Sequence, residues 1–350
     1  MPTTRHPVSM ISALSLGPMP QLVERELGGN ALRRIFHASG LTTDLLVERT
    51  GYIPQPALVR FFAETARSAG ERWILAPWIS EIQIRDYGTW GDWVLSAETL
   101  EAALLRGMHA IHLHGTNDVL TLRKRKDQAI YSYSFAEAST PGYDELAIGG
   151  AAALVNYCRE YLGREWVPDR LELNISDLSH RDLETLACHF GCPVTKSENA
   201  IRLIFDAKLL NTNRRKAGTC CLTFEDIIRE RMEGRPVTLA DQVRSQVRRN
   251  LSDRLVRIDD TARSLDLATR TLQQRLHVEG ESYRELVQSV RIGRAKELLR
   301  DNALSVTEVA FELGYEHVGH FTRMFATNVG MPPSVYATQN IDPVPQQTGL

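Results

Sequence analysis

Side chains that can donate hydrogen bonds are spaced along one face of a helical pattern near the C-terminal end of the sequence. In HVGHFTRMF, which begins at His317, the apolar residues recur at helical spacing and would be buried. The residues of this stretch that would face outward are Gly319, His320, Thr322 and Arg323. Imidazole and guanidinium groups can donate hydrogen bonds to phosphates and to base edges. This face is therefore predicted to contact nucleic acid.

A similar arrangement occurs earlier in the chain, in IDDTARSLDLATRTLQQRLHVEG. A short apolar face ends at Leu265, a turn follows at Asp266 and Leu267, and a second helix would bury Leu272 and Leu276. The outward residues of this second helix are Arg270, Thr271, Gln273 and Gln274. In both stretches a short helix, a turn and a helix with exposed polar side chains follow one another. This order predicts two helix-turn-helix units, in which the second helix enters the DNA major groove.

The segment between the two units, SYRELVQSVRIGRAKELLRDN, predicts one continuous helix. Ser282 and Glu285 fit a capping box at its start, and apolar residues follow at helical spacing. A helix of about 20 residues is about 30 Å long, close to the roughly 34 Å of one DNA turn. One chain could therefore read two successive major-groove segments without dimerising.

The charge balance does not by itself indicate a polycationic protein. The formal net charge is −2, and residues 245–340 contain 13 Lys and Arg against 12 Asp and Glu. Many of the acids, such as Asp259, Asp260 and Glu308, stand at predicted helix starts, where they favour the helix dipole. We therefore expect positive charge to be concentrated on one face, through residues such as Arg248, Arg254, Arg291 and Arg294, among others.

These C-terminal motifs resemble the DNA-binding domain of the AraC/XylS family of bacterial transcription regulators. The matching stretches are ATRTLQQRLHVEG, VRIGRAKELL, SVTEVAFELGYEHVGHFTRMF and GMPPSVY, within residues 240–338. The resemblance implies base contacts from Arg270, Thr271, Gln273 and Gln274 on the first recognition helix, and from His317, Gly319, His320 and Arg323 on the second. Gln274 stands where the family often has Arg, so the first half-site is expected to be read differently. Ala326, Thr327 and Ala337 replace basic residues that are usual there, which predicts weaker binding by the second half of the domain.

The N-terminal part resembles the arabinose-binding-like sensor domain found in some members of that family. The stretches that carry this resemblance are YGTWGDWVLSAETLEAAL and HRDLETLACHFGCPV. It implies a domain that binds a small-molecule effector and dimerises, and it names no ligand. The tryptophans between Trp73 and Trp93 fit either a core or a small-molecule pocket, because such pockets are mainly apolar and aromatic.

Helical and strand-like patterns alternate in the first 210 or so residues, whereas only helices are predicted afterwards. HAIHLHG, DVLTLRKR and AIYSYSF are predicted as three successive strands, and the alternation in ISEIQI also favours a strand. The predicted fold is an α+β sensor and dimerisation domain followed by an all-α domain of seven helices. The predicted divisions are a flexible N-terminus (1–25), the sensor domain (26–215), a linker (216–236), the DNA-binding domain (237–339) and a disordered tail (340–350).

Residue types suited to metal or redox chemistry occur in three other places. His112 and His114 would share one face of a strand, with Asp118 beyond, which fits either a metal site or a solvated face. Cys188, His189 and Cys192 also have ligand-like types, but Gly191 should end the helix between the cysteines, so two small buried cysteines are expected. Cys220 and Cys221 could sense oxidation, although adjacent cysteines bridge poorly.

The remaining signals concern the compartment. Five cysteines, two of them adjacent, favour a reducing environment over a disulfide framework. No apolar run of about 18 residues and no convincing signal peptide are found, so a cytoplasmic protein that does not cross a membrane is predicted.

The leading hypothesis is a sequence-specific transcription regulator and not an enzyme, with no cofactor. Its expected partners are double-stranded promoter DNA, a small-molecule effector, a second copy of the chain and RNA polymerase. The alternative is a DNA-targeted metalloenzyme with its site in the N-terminal domain. A weaker third hypothesis is a ligand-independent regulator whose N-terminal domain only dimerises.

Overall fold

The computed structural model describes residues 8–214, 222–232, 235–252, 256–300 and 304–339. The chain divides into two compact units, of which the first runs to Pro236 and the second begins at Val237. The first unit combines helices with two sheets, and every regular element in the described part of the second unit is an α-helix. This confirms the predicted fold class. No helix in the described ranges combines the length and apolar character that a membrane crossing requires.

The first unit is built from seven strands and eight α-helices in its described residues. The strands are β1 (Met10–Ser12), β2 (Tyr52–Pro54), β3 (Val119–Arg125), β4 (Gln128–Ser134), β5 (Arg170–Leu173), β6 (Val194–Lys196) and β7 (Ile201–Asp206). The helices are α1 (Met19–Leu27), α2 (Gly29–Ser39), α3 (Gln55–Ala69), α4 (Gly88–Leu95), α5 (Leu100–Ala110), α6 (Tyr143–Leu162), α7 (His180–Phe190) and α8 (Phe224–Met232). Strands β1 and β2 pair alone, and the others form a sheet in the order β3-β4-β7-β5-β6.

The larger sheet has one buried face, and its central strands show why. In β4 the alternate residues Ala129, Tyr131 and Tyr133 are buried, while their neighbours are partly exposed. This period-two pattern places the apolar side chains on one face. Helix α6 packs against β5 and β7, and its run of small residues from Gly149 to Ala153 leaves room for the aromatic side chains of neighbouring elements. The core of the first unit lies between this sheet and the helices.

Two sequence-based expectations fail in the first unit because alternation also occurs in tight helical turns. HAIHLHG forms the end of α5 and a 3-10 turn (Ile111–Leu113), and ISEIQI lies in and between 3-10 turns (Ala76–Glu81 and Ile84–Tyr87). The apolar residues of these stretches all turn inward, so they mimic a strand pattern. DVLTLRKR and AIYSYSF do form β3 and β4, as predicted.

The segments predicted as flexible and as linker also differ from expectation where the structure describes them. Within residues 8–25, β1 pairs with β2, and Met10, Ile11 and Leu16 are buried, so apolar burial orders this segment. Residues 222–232 contain α8, whose Ile227 is fully buried in the core of the first unit. Residues 1–7 and 340–350, and part of the predicted linker, lie outside the described residues.

The second unit contains seven helices in its described residues. They are α9 (Leu239–Ser252), α10 (Ile258–Ser264), α11 (Thr269–Val278), α12 (Tyr283–Arg300), α13 (Val306–Glu312), α14 (Val318–Val329) and α15 (Pro333–Gln339). Helix α12 packs against α9, α13 and α15. Its buried Ala295 and Leu299 join the cluster that holds α13, α14 and α15 together. The predicted helices of this region are therefore confirmed.

Candidate DNA-binding surface and effector cavity

The first helix-turn-helix unit consists of α10 and α11. Asp266 adopts a φ of 54° in the turn between them, the left-handed conformation that Asp tolerates better than most residues. Leu272 and Leu276 are fully buried under α11. The opposite side of α11 exposes Arg270, Gln273 and Gln274, with Thr271 half-buried. The structure therefore brings these four predicted residues onto one helix, beside each other.

The second helix-turn-helix unit consists of α13 and α14 and repeats this design with stronger local signals. Ser305 and Glu308 form a reciprocal capping box, in which the Ser305 N–H donates to Glu308 Oε2 (2.7 Å) and the Glu308 N–H donates to Ser305 Oγ (3.3 Å). Gly314 has a φ of 77° at the same place in the turn as Asp266. Phe321 and Phe325 are fully buried beneath α14.

Thr322 of α14 is half-buried, whereas the four residues that the family resemblance implies as DNA contacts are exposed. They are His317, Gly319, His320 and Arg323, of which His317 occupies the N-cap position. The rings of His317 and His320 meet edge to face with centroids 5.6 Å apart. Gly319 contributes no side chain, so its neighbours provide the reach of this surface.

Helix α12 connects the two helix-turn-helix units without a break and has about the length that the sequence predicts. Its 18 residues correspond to about 27 Å at 1.5 Å per residue. Ser282 caps its start, because the Glu285 N–H donates to Ser282 Oγ (3.3 Å) and the Ser282 hydroxyl donates to Glu285 Oε2 (2.7 Å). Leu286 near one end and Leu299 near the other are both buried, so the helix is anchored along its length.

The arginines predicted to supply local positive charge do not all remain available. Arg248 and Arg294 both form ion pairs with Glu297, at 2.8 and 3.0 Å. The guanidinium of Arg291 lies over the ring of Tyr315, 5.0 Å from its centroid. Arg254 lies outside the described residues. Among the described residues no side-chain partner is found for the guanidinium groups of Arg270 and Arg323, which leaves them available to a ligand.

Glu279 is a positioning residue that the sequence did not reveal. It follows α11 directly, and its carboxylate accepts hydrogen bonds from the backbone N–H groups of Leu239 (3.2 Å) and Ala240 (2.9 Å). These groups open α9, where the helix dipole also favours a negative charge. Glu279 therefore fixes the end of α11 against the start of α9. Only a pattern across distant segments could have signalled this contact.

A second candidate site lies inside the first unit, as a cavity between the sheet, α3, α4 and α6. Its walls are mainly apolar and aromatic, and include Phe62, Trp90, Tyr131, Tyr133 and Phe135. The volume of the cavity that the centres of water molecules can occupy is about 70 Å³. Trp73, Trp78, Trp90 and Trp93 are all buried in the core, as one interpretation of the tryptophan cluster expects, and Trp90 also lines the cavity.

His114 lies in the wall of this cavity and is held by its neighbours. Its ring stacks on Trp90 with centroids 5.0 Å apart and lies 4.9 Å from Tyr87. Its Nε2 shares a hydrogen bond with Ser15 Oγ at 3.0 Å, while its Nδ1 is buried without a hydrogen-bond partner. Burial, helped by the positive charge of Arg231, lowers the pKa of His114 to about 3. The imidazole is therefore neutral at neutral pH.

The prediction that His112 and His114 share one face of a strand is wrong. The two residues lie in a helical turn and not on one strand face, so His112 is exposed whereas His114 is buried. Asp118 is bound elsewhere, since it accepts hydrogen bonds from Gln55 Nε2 (3.0 Å), the Tyr133 hydroxyl (3.0 Å) and the Ala136 N–H (2.9 Å). No group of three or more metal-binding side chains occurs in the described ranges.

The cysteine predictions have mixed outcomes. Helix α7 ends at Phe190, and Gly191 caps it with a φ of 72°, so the helix does stop between Cys188 and Cys192. Cys192 is buried as expected, but Cys188 is exposed because it faces away from the apolar side of α7. Cys220 and Cys221 lie outside the described residues.

Comparison with known proteins decides the family. The model for the N-terminal arabinose-binding domain of AraC transcription regulators matches residues 29–213, more than half of the chain. A helix-turn-helix domain model matches residues 261–339. The chain belongs to the AraC family. It is a DNA-binding transcriptional regulator with an N-terminal ligand-binding domain.

Several transcriptional regulators are similar to this chain over different lengths. An uncharacterized HTH-type transcriptional regulator of Mycobacterium tuberculosis is 27% identical over 270 residues, which is 74% of this chain and 76% of the relative. The transcriptional activator NphR of Rhodococcus is 27% identical over 99 residues, 28% of this chain and 30% of that protein. The crystal structure of CdpR from Pseudomonas aeruginosa has 21% identity and a TM-score of 0.39, and the match covers 88% of this chain and 97% of CdpR.

Arg231 is a second residue of this AraC-family regulator that sequence reasoning missed. It lies on α8 and is 5% exposed. One guanidinium nitrogen donates to Ser12 Oγ, and another donates to the carbonyl of Tyr87 (2.7 Å). The Tyr52 hydroxyl donates to the carbonyls of Leu113 (2.6 Å) and Arg231 (3.2 Å). These contacts tie α8 to the wall of the cavity, and a short charged helix gave no signal of them.

Proposed function

We propose that this AraC-family regulator reads two successive major-groove segments of promoter DNA with α11 and α14. The observation that carries the proposal is the pair of helices, each with a buried apolar side and an exposed side of hydrogen-bonding groups, joined by the continuous helix α12. The distance spanned by α12 is comparable to one turn of DNA. The proposed contacts are Arg270, Thr271, Gln273, Gln274, His317, Gly319, His320 and Arg323.

The two helices are proposed to read their segments with different strength. On α11, Gln273 and Gln274 suit adenine, which offers an acceptor and a donor side by side, whereas Arg270 suits guanine. On α14, Arg323 is the strongest donor, because Gly319 has no side chain and Ala326 and Thr327 cannot bind phosphate through a charge. We therefore expect the first helix-turn-helix unit to dominate sequence specificity.

We further propose how the two parts of the chain share this work. The region 26–215 binds the effector and mediates a homodimer, and the region 237–339 binds DNA. Effector binding would favour one arrangement of protomers and so change which half-sites are engaged. The protein would activate transcription through contact with RNA polymerase. It would do so in the cytoplasm and without enzymatic activity of its own. The support for this proposal is that similar proteins are named transcriptional regulators and one is named an activator.

Genome-wide mapping of bound DNA, followed by footprinting, tests the proposal. Footprints of the wild type, Arg270→Ala and Arg323→Ala should differ in two groups of bases about one helical turn apart. Arg181→Ala, which changes an exposed arginine of α7, serves as the matched control and should leave the footprint unchanged. If Arg270→Ala and Arg323→Ala alter the same bases, the tandem reading is wrong.

A further inference from the structure

The cavity of the first unit has a wall without formal charge. Its lining residues come from the N-terminal segment, α3, α4, α6 and the sheet, and in the described chain none of them is Asp, Glu, Lys or Arg. Aliphatic and aromatic groups cover most of it, among them Leu58, Phe62 and Leu154. An occupant would therefore exchange water mainly for apolar contacts.

Most of the polar groups in this wall are already bound by the protein. The Trp90 Nε1–H donates to the Ala110 carbonyl (3.0 Å), and the Tyr157 hydroxyl donates to the Ala103 carbonyl (2.6 Å). The Tyr133 hydroxyl donates to Asp118 Oδ2 (3.0 Å). These groups hold the wall together and offer little to a ligand with many hydroxyl groups.

Two buried polar atoms of the lining residues lack a partner in the described structure. They are Nδ1 of His114 and the hydroxyl of Tyr131. The ring of His114, a residue of the cavity wall, is fixed by its stacking on Trp90 and its hydrogen bond with Ser15. Buried polar atoms without a partner are uncommon in folded proteins. The Nδ1 atom can accept or donate, according to which nitrogen carries the proton.

We propose that the effector is a neutral, largely apolar small molecule whose single hydrogen-bonding group meets Nδ1 of His114. This inference rests on the proposed function, in which the first unit binds the effector. It departs from the arabinose that gives the family domain its name, because a sugar would bury several hydroxyl groups against an apolar wall without partners. A carboxylate is also disfavoured, since the wall offers no cation and His114 stays neutral at neutral pH.

The test compares four probes with the purified full-length protein by isothermal titration calorimetry. The probes are para-ethylphenol, ethylbenzene, para-ethylbenzoate and L-arabinose, which differ in polar group, charge and hydroxyl number. We expect para-ethylphenol to bind about three- to tenfold more tightly than ethylbenzene, the range of one net hydrogen bond. The benzoate and arabinose should bind at least about tenfold more weakly than para-ethylphenol.

Variants locate the binding in this cavity. Ala153→Leu adds bulk to a lining position of α6 and should abolish binding of both apolar probes. His114→Phe keeps a stacked ring but removes both nitrogens, so para-ethylphenol should fall to the affinity of ethylbenzene while ethylbenzene is unchanged. The double variant Ser15→Ala with His114→Phe checks that the unpaired Ser15 hydroxyl is not the cause. Leu105→Ala, at an exposed position of α5, is the control.

The outcomes separate this inference from the proposed function. It is overturned if para-ethylphenol fails to bind the wild type, if arabinose or the benzoate binds equally well, or if Ala153→Leu has no effect. Gel-shift assays with a mapped promoter fragment are run on the same preparations. Protein that shifts DNA but binds no probe refutes only the effector class, whereas protein that binds para-ethylphenol but shifts no DNA refutes only the proposed DNA reading.

Discussion

At the scale of single residues, exposure and partners distinguish the arginines more clearly than their positions in the sequence do. Arg248, Arg291 and Arg294 contact other side chains, whereas Arg270 and Arg323 are exposed on the two helices proposed to enter DNA. Helical spacing predicted most of these outward residues, the family resemblance added His317, and Thr271 and Thr322 are half-buried. The sequence could not predict which arginines would pair with Glu297 or stack on Tyr315, because those contacts join separate helices.

Arg270→Ala should cost about 1–3 kcal/mol of binding free energy at one base position, because a bidentate contact to guanine would be lost. Titration of operator variants, one base pair at a time, measures the effect. Arg270→Lys is the matched control, since it keeps the charge but not the paired geometry, and should relax specificity in the same way. An equal loss on every sequence would instead identify a phosphate contact.

Asp118 should make the first unit less stable as the pH rises. Burial raises its pKa to about 6, although three donors that bind the carboxylate oppose the shift. The protonated carboxyl of Asp118 therefore makes its full contribution to folding stability below about pH 4, the pKa of the unfolded chain. This contribution is lost as the pH rises through about 6, the pKa of the folded protein. Relative to wild type, Asp118→Asn should gain up to about 3 kcal/mol between pH 4 and pH 7, at about 1.4 kcal/mol per pKa unit.

Urea unfolding followed by tryptophan fluorescence measures this, because all five tryptophans lie in the first unit. The amide that Asp118→Asn introduces remains compatible with its neighbours if the Tyr133 hydroxyl rotates to accept and the Gln55 amide flips to present its Oε1 as an acceptor. Asp127→Asn, at an exposed position beside β4, is the control and should show no such pH trend. A constant difference between wild type and Asp118→Asn across this pH range would contradict the raised pKa.

At the scale of elements, long amphipathic helices and strands with a turn between them were predictable, whereas short helical turns were not. Helices α9 to α14 follow apolar spacing that tertiary packing reinforces, so local and global signals agree. The 3-10 turn at Ile111–Leu113 has the pattern of a strand, because its apolar residues alternate with His112 and His114. The cavity could not be located beforehand, since six separate segments build its wall.

The capping box of α13 should stabilise the second helix-turn-helix unit. Ser305→Ala removes the hydroxyl that accepts from the Glu308 N–H and should cost about 1 kcal/mol. Thermal unfolding followed by circular dichroism gives the change, and Ser305→Asp should restore most of the loss because it keeps an acceptor. Equal stability of Ser305→Ala and wild type would show that packing of Val309 and Ala310 alone stabilises this helix.

At the scale of the whole molecule, the chain combines a net charge close to zero with exposed hydrogen-bond donors on α11 and α14. The net charge of −2 gives little general attraction to DNA, so binding should depend on few phosphate contacts. The family follows from motifs that extend over most of the chain. The effector and the oligomeric state do not, because they depend on surfaces that local patterns do not describe.

A fragment of residues 237–350 should bind the same operator bases as the full chain but more weakly. If the first unit mediates a homodimer, linking two DNA-binding regions raises the apparent affinity by about 10²-fold or more without any new DNA contact. Fluorescence anisotropy with labelled operator compares the fragment with the full chain, and light scattering gives the oligomeric state of each. Equal affinities would argue against the dimer, and a changed footprint would argue that the first unit selects the bases.

The buried guanidinium of Arg231 has a mechanical consequence. The backbone that leaves the ligand-binding unit passes through α8, and Arg231 clamps α8 to the carbonyl of Tyr87, a residue of the cavity wall. An occupant that displaces Tyr87 must lengthen or break this hydrogen bond between the Arg231 guanidinium and the Tyr87 carbonyl. Filling of the cavity and the position of α8, the last helix of the ligand-binding unit, are therefore linked through this one hydrogen bond.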